Sequence, residues 1–184
     1  MVRADAGEKT AKGLEYKDSG NKHFQAGEYA KAIKEYHFAL LYMRGLGDDP
    51  LTMSAPKDPA EKKEEEVTEL EKGISNIHSN MALCHLRLGN HASTIRCANE
   101  AIKVNPFNHK AKFRLAQGLI REGAIIKAEK LLGELEKASP DDPAFAAERR
   151  NIEAMEKKAE AKQRKEFGGM FDRASKDADS DDEE

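Results

Sequence analysis

The chain of 184 residues has no Trp, two Cys and six Pro, and aromatic residues make up 6% of it. Each scarcity excludes something. Two thiols, Cys84 and Cys97, are too few for a disulfide scaffold and read as reduced, buried, structural cysteines. No apolar run approaches the length of a membrane-spanning helix, and the opening Met-Val-Arg-Ala-Asp-Ala-Gly-Glu-Lys has no signal-peptide apolar core. The expected setting is therefore cytoplasmic, with no membrane partner. Charge of one sign is also missing. Lys and Arg number 31 against 34 Asp and Glu, for a net charge of −3, which denies nucleic acid the basic footprint that phosphate binding needs.

What is present is repetition. Gly89 and Gly123 stand 34 residues apart, as do Pro106 and Pro140, and 34 residues is the period of the tetratricopeptide helix-turn-helix repeat. One copy, 75–108, carries Ala82, Leu86, Gly89, Ile95, Ala98, Ala101 and Pro106. The next, 109–142, carries Ala116, Ile120, Gly123, Ala128, Leu132 and Pro140. An earlier copy, 13–46, places Tyr16, Gly20, Phe24, Gly27, Tyr29, Ala32, Ile33, Tyr36, Ala39 and Leu40 in the same slots. The pattern predicts an all-α superhelix of three helix-turn-helix repeats, because each helix pair buries its apolar stripe only by stacking on a neighbour. Small residues at Gly20, Ala82 and Ala116 permit close helix approach, and glycine at each turn permits a positive φ.

The spacing of the first two turn glycines implies an insertion, 47–74. Gly45 to Pro59 is rich in breakers and reads as a mobile loop. Ala60 to Lys72 is rich in Glu and Lys and is expected to lengthen the first helix of the second repeat. Residues 143–171 are expected to form a capping helix ended by Gly168-Gly169. Residues 1–12 read as a flexible tail, and 172–184, with seven acids and two bases, as a disordered acidic tail.

In such arrays the first helices of the repeats line a groove. Lys17 and Asn21 are spaced i, i+4 on the first such helix, Lys110 and Arg114 are spaced i, i+4 on the third, and Asn80 lies on the one between. With these residues at these offsets the sequence resembles the carboxylate-clamp class of tetratricopeptide domains. In that class the clamp grips the C-terminal Glu-Glu-Val-Asp of heat shock protein 90 or heat shock protein 70. The chemistry suits a C-terminal Asp, which presents two carboxylates. Lys17, Lys110 and Arg114 supply charge, and Asn21 and Asn80 supply directional N–H bonds. Phe24 is a candidate apolar wall for a ligand side chain, and Arg87 a peripheral contact.

Tyr16-Lys17-Asp18-Ser19-Gly20-Asn21 and Tyr36-His37-Phe38-Ala39-Leu40-Leu41-Tyr42-Met43-Arg44-Gly45-Leu46 resemble the tetratricopeptide repeat protein 9 family. Ser79-Asn80-Met81-Ala82-Leu83-Cys84-His85-Leu86 and Phe167-Gly168-Gly169-Met170-Phe171 also resemble the C-terminal domains of large immunophilins. No Gly-rich phosphate loop or Gly-x-Ser-x-Gly motif occurs, so no enzyme and no cofactor are expected, and the chain is expected to be a monomer. The resemblance implies a co-chaperone adaptor, with client proteins as further partners. Two alternatives stand beside it: a scaffold for an internal client segment with a vestigial clamp, and a folding factor associated with peptidyl-prolyl isomerisation.

Weaker features are read conservatively. Cys84, His85, His91 and Cys97 fall close together but lack Cys-x-x-Cys or His-x-x-x-His spacing, so no metal is expected. Lys157 to Lys165 is a basic helix end that could meet calmodulin or an acidic membrane surface, yet its apolar face is poor beyond Met155. Ser180, followed by Asp181, Asp182, Glu183 and Glu184, is a candidate phosphorylation site. The tail from residue 175 onward is also a candidate competitor for the basic groove in cis.

Overall fold

A computed structural model describes residues 2–44 and 63–180. Its α-helices are α1 (Val2–Gln25), α2 (Tyr29–Arg44), α3 (Glu69–Arg87), α4 (His91–Val104), α5 (His109–Arg121), α6 (Ile125–Ala138) and α7 (Pro143–Ser180), with a 3-10 turn at Glu64–Glu66. No strand occurs among the described residues, and none of their helices is long and apolar enough to cross a membrane. The chain forms two compact units, 1–140 and 141–184.

In the first unit α1 packs on α2, α3 on α4 and α5 on α6, while the contacts α2–α3, α4–α5 and α3–α5 stack these hairpins in chain order. The hairpin turns share one geometry. Gly27, Gly89 and Gly123 have φ of 76°, 73° and 81°, the left-handed region where a Cβ would be strained. At the first turn Gly27 N–H donates to Phe24 O at 3.0 Å and Glu28 N–H to His23 O at 2.9 Å. That pair of bonds is a Schellman closure, which satisfies the last carbonyls of α1. The same two bonds recur at Gly89 and Asn90 and at Gly123 and Ala124.

The core lies between the helix pairs, with Tyr36, Ile77, Ile120 and Leu132 its largest fully buried side chains. Gly20 fits because its neighbour is an aromatic ring. A Cβ there would come within 2.6 Å of Tyr36 Cε1, so α1 and α2 approach at a distance only glycine allows. Cys84 and Cys97 are free thiols buried in the same core. A polar knot joins the second and third repeats. Ser75 Oγ donates to Ala101 O and accepts from Asn108 Nδ2, both at 2.8 Å, and Asn108 Oδ1 caps α5 by accepting from Ala111 N–H at 3.0 Å.

Four expectations need correction. Residues 2–12, expected as part of a flexible tail, are not one, since α1 is helical from Val2. The segment holds three Ala and two Lys and no Pro, so it propagates the helix that its packed part nucleates. The packing itself begins early: Lys12 Nζ lies 5.8 Å from the centre of the Tyr42 ring.

The helix expected from Ala60 begins at Glu69 instead. Val67 is buried and extended, and Thr68 builds a capping box in which its hydroxyl accepts from Glu71 N–H at 3.2 Å while Glu71 Oε2 accepts from Thr68 N–H at 2.9 Å. This cap, not the Glu/Lys composition, sets the start. The loop expected over 45–59 lies outside the described residues, as do residues 60–62.

Gly168-Gly169 does not end α7, which continues through Ser180. Glycine costs about 1 kcal/mol relative to Ala in a helix interior, which weakens a helix without stopping it. A stop needs a left-handed cap or a proline, and neither falls there. Residues 172–180, expected to be disordered, continue that helix, and 181–184 lie outside the described residues.

A candidate peptide-binding groove

The period of the repeats places Asn80 and Arg114, 34 residues apart, at the same position on α3 and α5, and Asn21 lies about one turn further along its own repeat on α1. They meet in a chain of hydrogen bonds that crosses three repeats. Tyr36, reaching in from α2, donates its hydroxyl to Asn21 Oδ1 at 2.8 Å. Asn80 Nδ2 donates to the same oxygen at 3.4 Å, and Asn80 Oδ1 accepts from Arg114 Nη1 at 3.5 Å. Arg114 Nη1 also donates to Ser79 Oγ. Because Asn21 spends its carbonyl oxygen on two donors, its NH2 is not consumed by these bonds.

These residues line a cavity of ≈ 260 Å³ together with Phe24, Gln25 and Leu83. Its wall is apolar on one side. Phe24 is half-buried and packs against Tyr29 with ring centres 5.4 Å apart. The cationic side is Arg114. Burial lowers the pKa of its guanidinium, while the groups acting on it, Cys84 and Tyr36, are themselves neutral. Burial pushes Tyr36 up to about 12 and Cys84 up to about 11, so both keep their protons at neutral pH. An arginine does not lose its charge in such a place. The site therefore holds a desolvated cation whose recorded partners, Ser79 and Asn80, are neutral acceptors. A desolvated charge so matched is better satisfied by an anion than by water-excluding neutral groups.

Four expected residues, Asn21, Asn80, Arg114 and Phe24, thus share one cavity. Lys17 and Lys110 do not line it. They sit one turn earlier on the same faces of α1 and α5, Lys17 half-buried and Lys110 exposed. Lys110 lines a neighbouring cavity of ≈ 410 Å³, with Asn76, Phe107 and Lys72. Asn76 is the residue one turn before Asn80, so the two cavities follow one face of α3. Arg87, near the end of α3, is exposed and lies outside both linings. Ser180 is the last residue of α7.

Sequence reasoning missed Tyr36, Ser79, Gln25 and Leu83. Tyr36 carried a usable signal: a buried tyrosine needs a partner for its hydroxyl, and the nearest polar residue across the Gly20 contact is Asn21. Ser79 carried none, because its role depends on which side of α3 faces Arg114.

No family model matches the chain. Among curated proteins it is similar to human sperm-associated antigen 1, with 27% identity over 100 residues, 54% of this chain and 9% of that protein. The chain thus spans about a tenth of the length of that relative. Among solved structures it is similar to the Hsp90 co-chaperone Cns1 from Saccharomyces cerevisiae, with a TM-score of 0.67 and 18% identity over 90% of this chain and 46% of that one. It is similar to the first tetratricopeptide domain of Spaghetti (RPAP3) bound to the HSP90 peptide SRMEEVD, with a TM-score of 0.57 and 22% identity over 79% of this chain and 94% of that one. The second such domain of human RPAP3, in complex with the HSP70 peptide SGPTIEEVD, gives a TM-score of 0.57 and 16% identity over 80% of this chain and 98% of that one. With these likenesses and its own stacked helix pairs, the chain has the tetratricopeptide-repeat solenoid fold.

Proposed function

We propose that the chain is a non-enzymatic co-chaperone adaptor of the tetratricopeptide repeat protein 9 type, acting in the cytoplasm as a monomer. Its groove captures the C-terminal Glu-Glu-Val-Asp peptide of heat shock protein 90 or heat shock protein 70, and clients are presented from elsewhere on the chain. The observation that carries this reading is the half-buried Arg114 guanidinium, held by Ser79 and Asn80 at the edge of a cavity whose other walls are amide and apolar. Asn21 and Asn80 orient the ligand's carboxylates, Lys17 and Lys110 add charge one turn away, and Phe24 with Leu83 shelters the ligand's aliphatic side chain. Two solved relatives of the same fold hold peptides ending in this motif, which supports the assignment of ligand class.

Calorimetric titration with Met-Glu-Glu-Val-Asp as the free acid, beside its C-terminal amide, tests the reading. Micromolar binding by the acid, lost in the amide, is the expected result. Equal binding of both would instead make the groove a scaffold for an internal segment.

A further inference from the structure

The second helices of the first two repeats enclose another cavity, of ≈ 570 Å³, which shares no lining residue with the groove above. On α2 its wall is His37, Leu40, Leu41 and Arg44, which is the i, i+3, i+4, i+7 stripe by which one helix packs on another. Along this stripe Leu40 is buried in the core, whereas Leu41 is 69% exposed. The floor is Met81 and His78 on α3, and the far wall includes Arg96 and Glu100 on α4.

The polar groups of this cavity lean one way. Glu100 is matched by its own helix, with Lys103 Nζ 2.7 Å from its carboxylate. Arg44 donates from Nη2 to His78 Nε2 at 2.9 Å, so in a neutral ring the hydrogen is on Nδ1. That Nδ1 is buried and has no hydrogen-bond partner, and His78 as a whole is only 6% exposed. With Arg44 and Arg96 both lining the space and Glu100 already paired, the cavity is cationic at its rim, with Met81 and the buried His78 at its floor.

We propose that this cavity is a second docking site, which receives an amphipathic helix of a partner protein carrying carboxylates beside its apolar stripe. The α2 stripe supplies the helix-packing register, Leu41 and Met81 the apolar contact, and Arg44 with Arg96 the charge complement. Such a site would let one chain hold a chaperone tail in the groove and a second protein on its second-helix side at once. It stands independently of the clamp.

The test uses the full chain and a capped peptide of about 18 residues, long enough to hold a helix. The peptide has Leu at i, i+3, i+4 and i+7 and Glu flanking that stripe; its twin has Lys in place of Glu. Both ends are blocked, so neither peptide offers the groove a terminal carboxylate. The expected result is binding of the Glu peptide that weakens by at least about tenfold in Arg96→Glu and in Leu41→Glu, and is unchanged in Arg114→Ala. Both substituted side chains at the cavity are exposed, so these variants keep the fold. Equal binding of the Lys twin, indifference to Arg96→Glu, or no binding of the Glu peptide overturns the proposal. Sedimentation showing a dimer that Leu41→Glu dissociates would overturn it too, by assigning the stripe to a second copy of the chain.

Discussion

Asn80 on α3 donates to Asn21 Oδ1 on α1 across 3.4 Å, joining residues 59 positions apart. The contact makes the first two repeats one binding surface despite the insertion between them. It also fixes the orientation of both amides, since Asn21 Oδ1 is held by Tyr36 on its other side.

The variant Asn80→Ala removes the central link. It leaves Asn21 held by Tyr36 alone and deprives Arg114 of one acceptor, so peptide affinity is expected to fall by about tenfold or more, roughly 1.4 kcal/mol or above. Far-ultraviolet circular dichroism should not change, because Asn80 is only partly buried and makes no backbone contact in this network. Affinity within twofold of the parent would show that the amide relay does not orient the ligand.

Tyr36→Phe separates the relay from the packing. The ring stays against Gly20, while the bond to Asn21 is lost, for an expected destabilisation of about 1 kcal/mol in urea unfolding and a weaker but measurable loss of peptide affinity.

Substituting Gly20→Ala probes the packing alone. A Cβ there meets the Tyr36 ring at 2.6–2.7 Å, and the ring is fully buried and cannot swing away. Overpacking of this kind costs about 1–3 kcal/mol. Chemical denaturation would check it, and a midpoint equal to the parent's would mean that the helices separate freely.

His78 gives the first unit a pH dependence. Burial, then the neighbouring Arg44, pushes its pKa down to about 4 from an ordinary 6.5, with Arg96 and His37 acting in the same direction and Glu100 against. The unfolded chain therefore binds the proton more readily than the folded one. Stability from this residue is complete above about pH 6.5, declines as pH falls below it, and has been lost by about pH 4, with a total on the order of 1–3 kcal/mol. Urea midpoints at pH 7 and pH 5 should converge in His78→Gln, compared with the parent. An unaltered difference would place the titration elsewhere.

The 34-residue period made the positions of Asn80 and Arg114 legible, because a fixed offset in a repeated helix pair fixes the face on which a residue stands, and the i, i+4 spacing of Lys17 and Asn21 did the same for Asn21 on α1. The turns were legible for the same reason, through Gly27, Gly89 and Gly123. Tyr36 and Ser79 were not, since they meet the site from a neighbouring helix and from the flank of α3, and that depends on how hairpins stack. Helix ends were least legible. Val2–Lys12 is charged enough to pass for a tail, and its helicity is decided by continuity with a packed segment. The start of α3 depended on two side chains, Thr68 and Glu71, bonding each other's backbone within a stretch of similar composition. Gly168-Gly169 read as a stop, yet glycine ends a helix only where it takes up a cap.

The most direct test of the account is titration of free-acid Met-Glu-Glu-Val-Asp into the Lys110→Ala/Arg114→Ala variant beside the parent chain, with helical content measured on both. Removing one partner of a desolvated charge contact costs about 2–5 kcal/mol, so affinity should fall by at least about thirtyfold while helicity is kept. A loss below about threefold, with the fold intact, would contradict the clamp.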